Sequence, residues 1–203
     1  APYTRPDCVS SLKVSESDID WRHKGYYKFL INATSNSIGG IEITKRYKNN
    51  NTTSSKVPVI DMSGDFDMIF EYRVGINYDL MTLFDNYDHA TSSGKGLKIQ
   101  LNENANNITI TADNGTTETV MVASGIDTLN TITFLRIKRE SGVFKLFVNG
   151  VEKSLTNSTN TGDLNNDKNM HLFKEYNEST STYINNTGFL GIPIQFRFYT
   201  DVL

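Results

Sequence analysis

Short runs in which apolar and polar residues alternate recur along the chain, separated by polar, Asn-rich connections. A period of two places successive side chains on opposite faces of an extended strand. The clearest run is Phe66–Val74: Phe66, Met68, Phe70, Tyr72 and Val74 share one face, and Asp67, Glu71 and Arg73 the other, with Ile69 the exception. Leu97, Ile99 and Leu101 alternate with Lys98 and Gln100, and Ile108, Ile110 and Ala112 with Thr109 and Thr111. Val120 and Val122 predict a short strand, as do Ile41 and Ile43 after Gly39-Gly40. Between 132 and 155 two alternating runs flank Glu140-Ser141-Gly142, and Asn149-Gly150 leads into a third. Asn-Gly between such runs predicts a tight hairpin, because both residues tolerate positive φ. The expected product is a three-stranded meander with Phe144, Leu146 and Val148 facing the core. The last run places Ile192, Ile194, Phe196 and Phe198 on one side and Gln195, Arg197 and Tyr199 on the other, with Pro193 marking an edge or a strand start. Three stretches, 48–56, 77–95 and 157–170, follow neither period and are predicted to be surface loops.

Composition supports an all-β reading. Asn and Thr each occur 22 times in the 203 residues and Ala only 6 times, which disfavours a helical bundle. Leu, Ile, Val and Phe number 53, enough for a folded core. The net charge of −3 argues against nucleic acid as a partner, whose proteins carry a basic footprint. No apolar run approaches the ~20 residues of a membrane span, so no membrane insertion is expected. The lone Cys8 excludes an intramolecular disulfide framework and a cysteine-based zinc site. The chain begins at Ala1, without Met or a signal-peptide pattern, and is read as processed, trimmed or excerpted.

The blocks 134–154 (FLRIKRESGVFKLFVNGVEKS) and 188–203 (GFLGIPIQFRFYTDVL) carry a resemblance. With Val148-Asn149-Gly150, Gly191, Arg197 and Tyr199, and with Ser63 to Val74 as an early inner strand, the sequence resembles the laminin-G-like branch of the concanavalin A-like lectin/glucanase superfamily. The resemblance spans about Ile38 to Leu203. It implies a two-sheet antiparallel jelly-roll sandwich, and the strand pattern reaches the same fold class independently. Residues 1–37 are expected to form an N-terminal segment, either an extended arm or the first strands, and 38–203 the jelly-roll domain.

Hydrolases of that superfamily resemble one another in a strand carrying paired carboxylates, which supply nucleophile and acid/base. Glu16-Ser17-Asp18-Ile19-Asp20 is the only similar cluster, and it precedes the recognisable sandwich; Glu42 and Glu71 are isolated on polar strand faces. His23, His89 and His171 form no metal-binding pair, and no nucleophile elbow or phosphate loop is present. The chain is therefore read as non-catalytic. Relatives in the superfamily often bind calcium at the sandwich rim. Asp85, Asn86 and Asp88 are the candidate ligands here, with Asn165-Asn166-Asp167 a second cluster. Asp and Asn at both places also suit plain turns. Otherwise no cofactor is expected.

Carbohydrate needs an aromatic face to stack on and amide or carboxylate groups for its hydroxyls. Tyr87 and His89 in one loop, and Tyr176 and Asn177 in another, are the candidates. Trp21 is assigned to packing. Eight Asn-x-Ser/Thr sequons, at Asn32, Asn50, Asn51, Asn107, Asn114, Asn157, Asn177 and Asn185, exceed the about four that chance gives and are candidate N-glycosylation acceptors. The function expected is a recognition module displayed on a cell or virion surface or extracellularly, binding glycan or a partner protein through rim loops or the concave sheet. The alternative is a structural subunit of a virus or phage particle, fibre or filament, assembling through the N-terminal segment.

Overall fold

A computed structural model of the chain describes residues 60–75, 78–89, 94–166, 168–177, 180, 184 and 187–199, together with the backbone of six strand segments at 12–14, 26–30, 41–43, 46–47, 56–57 and 182–183. Every regular element among them is a strand. In chain order these are β1 (Leu12–Val14), β2 (Tyr26–Leu30), β3 (Ile41–Ile43), β4 (Arg46–Tyr47), β5 (Lys56–Val57), β6 (Phe66–Val74), β7 (Met81–Asp85), β8 (Lys95–Asn102) and β9 (Asn107–Asn114). There follow β10 (Glu118–Ser124), β11 (Ile132–Glu140), β12 (Val143–Val148), β13 (Val151–Lys153), β14 (Met170–Leu172), β15 (Tyr176–Asn177), β16 (Thr182–Tyr183) and β17 (Gly191–Tyr199).

Two sheets stack as an antiparallel jelly-roll sandwich. The larger runs β1-β3-β14-β7-β8-β9-β10 and the smaller β13-β12-β11-β6-β17-β2. The parallel β1–β3 pair at one edge is the exception. β1 and β2 each close one edge of a sheet, so strands drawn from the first 37 residues contribute to both layers. The meander follows the expected register, with Leu135 opposite Val148 and Val148 opposite Val151. Its two turns run through positive φ at Ser141, Gly142, Asn149 and Gly150, as the tight-hairpin reading requires.

Between the layers lies one apolar core. The inward positions of β6 (Phe66, Met68, Phe70, Tyr72 and Val74) are all buried, as are Phe144, Leu146 and Val148 of β12. Phe70 and Phe196 pack with ring centroids 4.8 Å apart, and Phe84 reaches Phe196 from the opposite sheet at 6.1 Å. Each such ring contributes on the order of 1.5–3 kcal/mol by leaving water.

Three expectations are corrected. Residues 77–95 are not simply a surface loop, because they contain β7, which is buried at all five positions near the middle of the larger sheet. The strand is covered on both faces, and a bulge between Thr82 and Phe84 spaces its polar residues, Thr82 and Asp85, three apart, so no period of two shows. The 157–170 connection is also more than surface, since it delivers Leu164 to the core and buries Asn160. In β17, Ile192 and Ile194 do not share the core face with Phe196 and Phe198. A bulge between Pro193 and Gln195 inserts one residue and flips the alternation, leaving Pro193 buried and both isoleucines half-buried. Pro193 sits beyond the end of the ladder to β2, which starts at Gln195, so its missing N–H leaves that ladder intact.

A buried cation holds the 157–164 segment in place. Arg139 continues the inward row of Leu135 and Ile137, and it is 1% exposed. No carboxylate meets it among the described residues; instead its guanidinium donates to the carbonyls of Met62, Gly64, Asn160 and Gly162. Phe66 and Phe144 flank it at about 6 Å.

Candidate functional site

The outer face of the larger sheet is built from the polar half of the same alternation. With Leu97, Ile99 and Leu101 turned inward, Lys98 and Gln100 of β8 point outward; with Ile108, Ile110 and Ala112 inward, Thr109, Thr111 and Asp113 of β9 do the same. The register aligns Asp85, Lys98, Thr111 and Val120 in one row across β7, β8, β9 and β10, and Thr82, Gln100, Thr109 and Val122 in the next. A third row joins Gly96, Asp113 and Glu118.

Over this face folds the segment after β7. Gly94 and Gly96 make room for it. A Cβ on Gly94 would stand 2.3 Å from the Asp88 carbonyl and 2.6 Å from the Tyr87 ring, and one on Gly96 would stand 2.6 Å from the Asn86 carbonyl. Gly96 also adopts φ of 141°, a conformation L side chains rarely take.

Asp85, 1% exposed, is the hub. Its Oδ1 accepts the Tyr87 backbone N–H at 3.0 Å, its Oδ2 accepts the Tyr176 backbone N–H at 2.9 Å, and both oxygens lie within 3.2 Å of His89 Nε2. This single carboxylate thus gathers Tyr87, His89 and Tyr176 from two distant parts of the chain. The Tyr176 ring stacks on His171 with centroids 4.3 Å apart, and the Tyr87 and His89 rings lie 5.3 Å apart. Behind them Glu175 takes Lys98 Nζ at 2.9 Å and Gln100 Nε2 at 3.1 Å, and it approaches His89 at 3.6 Å. Burial opposes a charge on His89, yet the hydrogen bond and charge of Asp85, with Glu175 beyond, prevail and raise its pKa above the ordinary imidazole value.

The Tyr87 hydroxyl donates to Glu118 and lies 3.5 Å from Asp113, while Lys98 Nζ stands 5.6 Å from its ring centroid. Burial first, and then the two carboxylates, push the Tyr87 phenol well above the usual tyrosine pKa. Its proton is held, and the hydroxyl stands as a donor to Glu118. Beside Glu118, along edge strand β10, runs an open cleft of ≈ 440 Å³ lined by Glu118, Thr119, Val120, Asn157, Ser158 and Thr159.

Of the predicted ligand-binding residues, Tyr87, His89 and Tyr176 come together. Asn177 follows Tyr176 in β15, where its Oδ1 accepts the Thr180 N–H in a local turn. The predicted calcium ligands do not fit a cation as arranged. Asp85 is committed to protein donors, Asn86 Oδ1 accepts the Leu97 N–H at 2.8 Å, and Asp88 faces Lys168 at 3.5 Å. Among the described residues no three His, Cys, Asp or Glu side chains cluster as metal ligands. In the second cluster, Asn165 ties Met62 and Asp61, and Asn166 donates to the carbonyls of Asn86 and Lys95; Asp167 lies outside the described residues. Among the sequons, Asn157 is exposed at a positive-φ turn and Asn114 Oδ1 caps the N–H groups of Thr116 and Thr117. Asn107 opens β9. Asn32, Asn50, Asn51 and Asn185 lie outside the described residues, as do Cys8, Trp21 and the Glu16–Asp20 cluster. Sequence reading missed Lys98, Gln100, Glu118 and Glu175; the first two carried a signal, as polar positions inside an alternating strand.

No protein-family description matches the sequence, and no curated protein does. Solved structures do match in fold. The CBM40 domain of Ruminococcus gnavus IT-sialidase bound to α2,3-sialyllactose aligns with TM-score 0.57 and 16% identity, covering 81% of this chain and 90% of that one. A leech intramolecular trans-sialidase aligns with TM-score 0.58 at 13% identity, covering 89% of this chain and 26% of that one. Domains LG4-5 of the mouse laminin α1 chain align with TM-score 0.54 at 9% identity, covering 87% of this chain and 44% of that one. These likenesses show the fold, a two-sheet β-sandwich like that of those domains. No helix among the described residues is long and apolar enough to cross a membrane.

Proposed function

We propose that the chain is a non-catalytic recognition module, displayed outside the cell or on a particle surface, that binds glycan on the outer face of the larger sheet. The observation that carries this reading is the gathering of Tyr87, His89 and Tyr176 around the buried Asp85 carboxylate. Aromatic surface for sugar C–H groups thereby stands beside the part-exposed Lys98 and Thr111, whose ammonium and hydroxyl suit sugar hydroxyls, while the buried Gln100 and Glu175 hold Lys98 in place. A preformed network lowers the cost of ordering these groups on binding. The fold likeness to a module whose structure holds sialyllactose is consistent with a glycan ligand. The binding role is also favoured by the carboxylates of this face being engaged by protein groups, Asp113 and Glu118 by the Tyr87 hydroxyl and Asp85 and Glu175 by His89 and Lys98.

The test is a glycan array followed by NMR titration of the best neutral hit. Amide shifts should concentrate on Tyr87, Lys98, Thr111 and Tyr176, and Tyr176→Ala should weaken binding at least tenfold. An array without hits, or shifts confined to other surfaces, overturns the reading. The second reading, a structural subunit, draws on Ile132 and Phe134, about half exposed on the smaller sheet. A chain that binds no glycan and sediments as a closed oligomer would replace the first reading with the second.

A further inference from the structure

Among the described residues the outer face of the smaller sheet carries five cations, and four have partners. Arg136 pairs with the buried Asp67, Lys138 and Lys145 with Glu140, and Arg197 donates to Gln195 Oε1 at 2.9 Å. Arg73 is exposed, and no carboxylate lies within ion-pair distance of it among the described residues. Its row across the sheet is apolar, with Ile132 on β11 to one side and Ile192 on β17 to the other. Arg73, Gly75, Asn130 and Ile192 line a cleft of ≈ 260 Å³. Asn130 is locked at its margin, its N–H bonded to the Val74 carbonyl at 2.7 Å and its backbone at φ 61°. Its side-chain amide offers both a donor and an acceptor.

From this arrangement we infer a second subsite, in which Arg73 takes the carboxylate of an acidic sugar. An unpartnered guanidinium offers a planar fork that matches a carboxylate bidentately, and its weak hydration suits a half-apolar setting. The isoleucines on either side would meet the C–H face of the ring, and Asn130 its hydroxyl or acetamido groups. A compact cleft of this size suits one ring better than an extended acidic peptide. Glu71, the next outward residue on β6, is the nearest acid along the strand and the group that would oppose the ligand. The larger sheet's outer face is unsuited to the same ligand. There Lys98 and His89 are already paired with Glu175 and Asp85, and Asp113 and Glu118 add negative charge. The inference rests on the glycan-binding reading for its ligand class but concerns a different face, so the two can fail separately.

The test titrates the ¹⁵N-labelled chain with 3′-sialyllactose, with lactose and with a Glu-rich hexapeptide. Sialyllactose should shift the Arg73 side-chain Nε–H and the amides of Gly75, Asn130 and Ile192. R73Q should weaken it at least tenfold, R73K should fall between, and E71Q should tighten it severalfold, with lactose unaffected by all three. Sialyllactose binding that survives R73Q unchanged, maps to the larger sheet or is absent overturns the inference. Tighter binding of the hexapeptide to the Arg73 cleft overturns the sugar assignment. If lactose and other neutral glycans fail while sialyllactose still maps to Arg73, the larger-sheet site falls and this subsite stands.

Discussion

The two outer faces of the sandwich come from the same alternation, yet they solve the exposure of polar groups differently. On the larger sheet the polar side chains are drawn into one network under the 86–89 segment. Asp85 and Glu175 are buried and fully engaged, and the aromatic rings are set by them. On the smaller sheet the face stays open, with Ile132 and Phe134 half exposed and Arg73 without an ion-pair partner among the described residues. Among the described residues its buried ionic contact is Asp67 with Arg136. Polar groups on the first face are therefore held by the fold, while on the second they are largely independent of it.

That contrast can be broken most forcefully at Asp85. Asp85→Ala strips acceptors from His89 and from the Tyr87 and Tyr176 N–H groups, and it should cost about 3 kcal/mol of stability with loss of neutral-glycan binding. Glu71→Ala on the other face should stay within about 0.5 kcal/mol. Urea denaturation measures both, and equal costs would dissolve the distinction. Arg136→Ala leaves Asp67 buried without its cation. Because Arg136 itself is 39% exposed, the expected loss is only about 1–2 kcal/mol, read from the same unfolding curves.

A smaller effect is expected from pH. His89 has a folded pKa above its unfolded value of about 6.5, so the protonated ring favours the folded state. That contribution is complete below pH ~6.5 and is lost as pH rises through the folded pKa. Stability should decline on that upward path, and His89→Asn should remove the slope; a slope that persists assigns it to other groups. The least effect belongs to Phe134→Ser and Ile132→Thr, each expected within about 0.5 kcal/mol by thermal unfolding, since both side chains already stand in water.

Much of the fold was legible because alternation is local. Phe66–Val74 and the meander form as their period requires, and the Asn149-Gly150 turn takes the positive φ that these two residues tolerate. β7 was illegible for the opposite reason, since a bulge between Thr82 and Phe84 spaces its two polar residues, Thr82 and Asp85, three apart and hides the period of two. The face of Ile192 and Ile194 was misread because a bulge shifts register without leaving a mark in the period. Of the site, Tyr87, His89 and Tyr176 were named from residue type and loop placement. Asp85 was read as a cation ligand, because its oxygens' real partners lie as far as 91 residues away in sequence.

The chain's own pattern determined a β-sandwich with a core of alternate aromatic and aliphatic residues, because the side-chain period follows from strand geometry alone. Only tertiary structure decided that β14, β7 and β8 lie side by side, and therefore that Asp85, Lys98 and Glu175 meet. It also decided which charges are answered by a partner and which, like Arg73, meet no carboxylate among the described residues. Periodicity states which face a residue takes; sheet order states what it will face there.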